Sequence, residues 1–179
     1  MLKININNFK GDELPSELFF LENNVCTGIG LSLSIFTHAE KLNELLANYS
    51  IFYQNTRGFH WNIKGEKFFE LHVKFEELYN DLLLKIDEIA ERVLTLGHTP
   101  EHSYSEYYKI SKVKETTKVS NGTVAVNHIL DSFKTVIMMQ REILDLSDEA
   151  NDEGTNSLMS DYISLQEKEV WMYSSFMKK

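Results

Sequence analysis

Two histidines and, among eight carboxylates, Glu76, Asp87 and Glu91 stand out in one stretch, HWNIKGEKFFELHVKFEELYNDLLLKIDEIAE, running from His60 to Glu91. His60, His72, Glu76, Asp87 and Glu91 are the residue types that bind iron, manganese or zinc. Cys26 is the single cysteine, so cysteine-based zinc and iron–sulfur sites and an intrachain disulfide are excluded. Its expected place is as a small buried apolar residue in a protein of the reducing cytoplasm.

Spacing decides how those ligands could meet. After Gly65, apolar residues recur at Phe68, Phe69, Phe75, Leu78, Leu82, Leu83, Ile86, Ile89 and Val93, the three/four rhythm of a buried helical face. On that helix His72, Glu76, Asp87 and Glu91 share one side, spread over about 100° of rotation. One chain cannot bring them together, because His72 and Asp87 are separated by ~22 Å of helix. Two copies packed antiparallel about a two-fold axis near Tyr79 or Asn80 would set His72 of one beside the Asp87 to Glu91 turn of the other. A two-fold axis makes two such sites. His60 joins His72 if the chain reverses at residues 62–66, where Gly65 supplies the turn. Glu76 then orients a ligand or binds more weakly. Trp61 reads equally as interface packing and as an electron donor beside an oxidising metal.

Other chemistries lack their parts. Glu-x-x-His, the ligand pair of an intrachain di-iron bundle, is absent, since the residues three before the six histidines are Ile35, Arg57, Phe69, Thr95, Thr99 and Ala125. There is no HExxH, no glycine-rich phosphate loop, and no supported serine or cysteine nucleophile. His38 is expected to be exposed or locally bonded. His98 and His102 are four apart, but Pro100 between them spoils a helical clamp, and His128 has no acidic partner before it.

The elements that must position the site are long helices. Two prolines and eight glycines in 179 residues disfavour a turn-rich β fold. Thr27 can cap a first helix that continues to Gly58 or slightly past it. The second spans about 66–96 and stops at LGHTP, and a short helix over 103–109 interrupts a polar connection. The third covers about 122–147 and the fourth about 154–177. Met138–Met139 fits core filling. This is an all-α four-helix bundle with a short extra helix between the second and third helices, whose long connection lets those two run in the same sense. Residues 1–24 are expected to be a leader and 25–179 the bundle domain.

Charge narrows the partners. Lys plus Arg total 18 against 27 Asp plus Glu, a net −9 that disfavours broad nucleic-acid binding. No apolar run approaches a membrane span and the N-terminus does not read as a secretory signal, so a cytoplasmic location is expected. Asp145, Asp148, Glu149, Asp152 and Glu153 introduce the fourth helix, with no Lys or Arg over residues 142–167. They read either as solvated helix ends or as an acidic route for cations gathered by symmetry.

The segment Phe59-His60-Trp61-Asn62, followed by Gly65, Phe69, Leu71-His72, Phe75, Leu78-Tyr79, Asp87 and Ala90-Glu91-Arg92, resembles the signature of the Dps family, the miniature ferritins associated with DNA protection in starved bacteria. Thr99-Pro100, Glu167-Lys168 and Trp171-Met172 extend the likeness over about 27–177. The resemblance implies a ferritin-like subunit assembled as a hollow homo-oligomer, a dodecamer. It implies a ferroxidase centre across each dimer interface, with His60 and His72 from one subunit and Asp87 and Glu91 from the other, and Glu76 nearby. Fe(II) would be oxidised there, preferably by hydrogen peroxide, and stored as Fe(III) mineral. Zinc could substitute. Asp148, Asp152 and Asp161 are the expected liners of an acidic pore admitting iron. Family members that bind DNA use lysine-rich tails. This chain offers Lys3, Lys10, Lys178 and Lys179, so DNA binding is expected to be weak or absent. The alternatives are a non-enzymatic helical scaffold and a dimer held by structural zinc.

Overall fold

The computed structural model describes residues 28–178, with side chains from 38 onward. The expected leader over 1–24, Cys26 and the Thr27 cap lie outside the described residues. Five helices follow in order: α1 (Gly28–Asn62), α2 (Phe68–Thr95), α3 (Tyr104–Ile110), α4 (Gly122–Glu149) and α5 (Glu153–Met177). The first turns of α1 belong to the unit Met1–Leu33, and all packing below lies within the compact unit Ser34–Lys179.

Side-chain pairs fix the directions of the helices. Phe59 meets Phe75 and Tyr53 meets Tyr79, so α1 and α2 are antiparallel. Phe59 stacks on His128 and Phe52 lies edge-on to Phe133, which makes α4 antiparallel to α1 as well. α2 and α4 therefore run the same way, as the long connection allows. Tyr162 reaches Glu88 and Thr155 reaches Arg92, so α5 returns antiparallel to α2. The core between the four is built from Leu42, Leu46, Phe52, Phe75, Leu82, Ile89, Ile129, Phe133, Ile143 and Met159, all fully buried.

Local chemistry sets the ends. After α2, Gly97 adopts φ 82°, and its N–H and that of His98 bond back to the carbonyls of Leu94 and Val93. This is a Schellman stop, which needs a left-handed residue that glycine takes without strain. α4 closes the same way with Asn151 at φ 54°. The next residue, Asp152, already caps α5 by accepting from the Thr155 N–H at 3.1 Å. Ser103 and Asn121 cap α3 and α4.

The crossover from α2 to α4 is tied down by three asparagines of α1. Asn43 bonds Thr99 and Glu101. Asn48 Oδ1 accepts from the N–H groups of Lys112 and Val113, both at 2.9 Å, and Asn55 bridges Lys114 and Thr116. Each staple satisfies backbone groups that an irregular strand packed on a bundle would otherwise leave bare.

α1 runs slightly past Gly58, to Asn62, as expected, which puts His60 and Trp61 on the helix itself. Two sequence expectations change. His38 is fully buried rather than exposed, and its Nε2 pairs with Asp152 Oδ2 at 3.0 Å across 114 residues. Only half of Met138–Met139 fills the core: Met139 is buried and Met138 is exposed.

Candidate metal centre

His60 stands on the last turn of α1 and His72 on the second turn of α2, joined by the reversal at residues 63–67. Gly65 makes that reversal at φ 106°, a conformation that side-chain-bearing residues rarely adopt. Lys64 N–H bonds Ser120 O at 3.0 Å, which anchors the turn to the start of α4.

The two imidazoles are locked by a reciprocal pair of bonds. His60 Nδ1 donates to the His72 carbonyl at 2.8 Å, and His72 Nδ1 donates to the His60 carbonyl at 2.9 Å. Their rings stack at 3.8 Å and 20°. A ring whose Nδ1–H is given to a carbonyl presents its lone pair at Nε2, the form that ligates a metal. Phe68 stacks on the outer face of His72 at 5.0 Å, and Tyr79 lies edge-on to His60 at 5.3 Å. The pair is thus walled by aromatics and half-buried, with little freedom to lose on binding.

Tyr79 and Phe68 did not figure as site residues in the sequence reading. Phe68 lies four residues before His72 and Tyr79 seven after it, one and two turns along the same side, and that register was the available signal. Tyr79 also donates its hydroxyl to Glu76 at 3.4 Å, and desolvation followed by the Glu76 charge holds that phenol above its usual range. Trp61 is exposed, with the Arg57 guanidinium 4.7 Å over its ring.

The carboxylates are elsewhere. Asp87 and Glu91 project from the C-terminal half of α2, exposed, while Glu76 is exposed one turn beyond His72. Among the described residues no three metal-binding side chains converge within the chain. The structure brings His60 and His72 together and leaves Asp87 and Glu91 at the other end of the same helix.

That helix carries an unexpected surface. Phe69 and Leu83, assigned to the core by periodicity, are 78% and 47% exposed, and Val73, Leu84 and Leu94 are exposed with them. At 3.6 residues per turn these five share a stripe with Glu76, Asn80, Asp87 and Glu91. Exposed apolar residues gathered in one patch mark a surface that another molecule covers.

Of the three aspartates expected in a pore, Asp148 and Asp161 are exposed. Asp152 is turned inward: it accepts from the Arg92 guanidinium, the Thr155 hydroxyl at 2.6 Å and His38. Burial raises its pKa, but the Thr155 bonds and the Arg92 and His38 charges outweigh this and hold the carboxyl below its ordinary range. Gly154 leaves room for this cluster, since a Cβ there would meet the Arg92 guanidinium at 2.9 Å.

Comparisons with known proteins agree with this architecture. The ferritin-like domain model matches residues 39–179. A DNA protection during starvation protein of Porphyromonas gingivalis is 44% identical over 77% of this chain and 87% of its own length. Among solved structures, a Dps protein of Vibrio cholerae O1, described as a member of a broad superfamily of ferritin-like diiron-carboxylate proteins, is similar with a TM-score of 0.81. That pair is 53% identical, covering 82% of this chain and 92% of the other. The Dps protein of Bacillus brevis gives a TM-score of 0.79 at 33% identity, over 81% and 97% of the two chains. A four-helix bundle that pairs His60 of α1 with His72 of α2, matched over most of its length by such relatives, belongs to the Dps family of ferritin-like proteins.

Proposed function

We propose that the chain oxidises and stores ferrous iron, using centres shared between two subunits. The observation that carries this is the locked His60–His72 pair, with Asp87 and Glu91 waiting on the same side of α2, ~22 and ~28 Å from His72 along the helix. Antiparallel packing about Asn80 would cover the apolar stripe and bring the carboxylates of one chain to the imidazoles of the other. Two Nε2 lone pairs and two carboxylates form a mixed set that suits Fe(II) and, once it has lost an electron, Fe(III).

In this reading the residues bind and orient, and no protein nucleophile takes part. Two ferrous ions each give one electron to one hydrogen peroxide, which takes two protons and leaves as two waters. Both electrons go to peroxide together, so no hydroxyl radical is released. Tyr79 and Phe68 hold the imidazoles rigid, and Glu76 stands where it can take a proton or a second ion. The oxidised iron collects as mineral in a cage, a dodecamer. Asp148 and Asp161 line the route inward, with Asp152 setting the start of α5 from behind.

Subunit mixing tests the shared centre. His60→Ala and Asp87→Ala should each slow peroxide-dependent oxidation severely. Refolded together at equal amounts, they should recover about a quarter of the native rate, because half of the dimers are mixed and each mixed dimer has one intact centre. A mixture no faster than its parents would place the ligands within a single chain and end the proposal.

A further inference from the structure

All four long helices contribute polar side chains to one continuous seam in the middle of the bundle. At its outer end, between α2 and α5, stand Asp81 and the exposed Glu88. Tyr162 of α5 is buried, donates its hydroxyl to Glu88, and lies edge-on to Tyr49 of α1 at 6.2 Å. Deeper still, Gln140 of α4 and Gln166 of α5 both donate to the Tyr49 hydroxyl, and Gln140 also donates to Gln166 Oε1 at 3.0 Å. Gln140 Oε1 is buried without a hydrogen-bond partner. Oxygen donors converging from four helices are how carboxylate bundles hold metal in their cores. Here the inner positions are amides and phenols, and the cation buried beside them is an ammonium.

We propose that Lys85 is a built-in cation that closes this seam to divalent metal and so confines iron to the intersubunit centre. Only the identity of the metal rests on the function proposed above. Lys85 is 4% exposed, unusual for a lysine. It lies between Asp81 and Glu88 on one side of α2, donates to Asp81 at 2.5 Å, and holds its ammonium 5.0 Å over the Tyr162 ring. A divalent ion moving in past Asp81 and Glu88 would face that charge where little water screens it. Without the amine the same place offers two carboxylates, a phenol and, beyond them, an orphan carbonyl oxygen. Those are hard donors suited to a divalent cation.

Cobalt(II) titration followed by visible absorption tests this without any oxidation step, so a chain lacking ferroxidase activity would still show the effect. Lys85→Met, which keeps the length of the side chain, and Lys85→Ala should each bind about one further Co(II) per chain than the native protein. Adding Glu88→Gln should remove the extra ion, and Lys85→Arg should bind as the native protein does. A folded Lys85→Met or Lys85→Ala protein with native cobalt stoichiometry overturns the proposal. Should neither fold, native Lys85 in a His60→Ala background decides. No cobalt uptake dependent on Glu88 supports a closed seam, and uptake abolished by Glu88→Gln overturns it.

Discussion

A single carboxylate can serve structure and yet look, from sequence, like part of a pore. Asp152 sits in an acidic run, but its oxygens are taken by Thr155, Arg92 and His38. Because its folded pKa is depressed, its contribution is present above the ordinary aspartate pKa and disappears as pH falls through the folded value. Asp152→Asn keeps an oxygen to cap α5 but loses the charge facing Arg92, and should therefore lower the melting temperature at pH 7, by the equivalent of about 1–2 kcal/mol. The gap to the native protein should narrow below about pH 4. Thermal melts from pH 7 to 3 measure it, and a gap independent of pH would refute a depressed carboxyl. Residue types and register made His60, His72, Asp87 and Glu91 legible as candidates. The His38 partner was not legible, because a bond across 114 residues leaves no local pattern. Gln140 gave a partial signal: it falls on the apolar rhythm of α4, where a polar residue must find buried partners.

Among the elements, helix existence and order followed from periodicity, and the stop of α2 followed from Gly97. Periodicity could not separate two kinds of burial. Phe69 and Leu83 repeat on α2 like core residues, yet they face away from their own bundle. The rhythm reports that a face is to be covered and is silent on which chain covers it. The crossover was similarly opaque, since its conformation depends on Asn43, Asn48 and Asn55 some 50 to 65 residues earlier. Asn48→Ala leaves the Lys112 and Val113 N–H groups without their acceptor, Val113 being buried. The expected loss is about 1–3 kcal/mol, seen as a lower urea midpoint, with faster proteolysis inside residues 97–121. Unchanged cleavage there would mean the strap is held by its other contacts.

At the scale of the whole molecule, the stripe on α2 and the proposed metal ligands share one fate. Leu83 is exposed in the chain alone, so Leu83→Glu should leave the bundle folded and helical while placing like charges across the proposed two-fold axis. Such chains should sediment as monomers and oxidise ferrous iron no faster than His60→Ala. A monomer with the native rate would separate assembly from activity. Charge governs the encounter with DNA. Each chain carries −9, and several described lysines are already paired with acids: Lys67 with Glu70, Lys74 with Glu77, Lys109 with Glu106, Lys112 with Glu44. Binding to phosphate draws its strength from lysines that release counterions, and a lysine sharing its charge with a neighbouring carboxylate releases fewer. A dodecamer would add a net repulsion of about −108 formal charges. Iron-free protein should therefore leave linear duplex unshifted in a mobility assay at low salt, and physiological Mg²⁺ should give at most weak, salt-sensitive retention. Tight binding without divalent ions, lost when Lys3, Lys10 and Lys178 are changed to Ala, would show that the tails overcome the charge of the body.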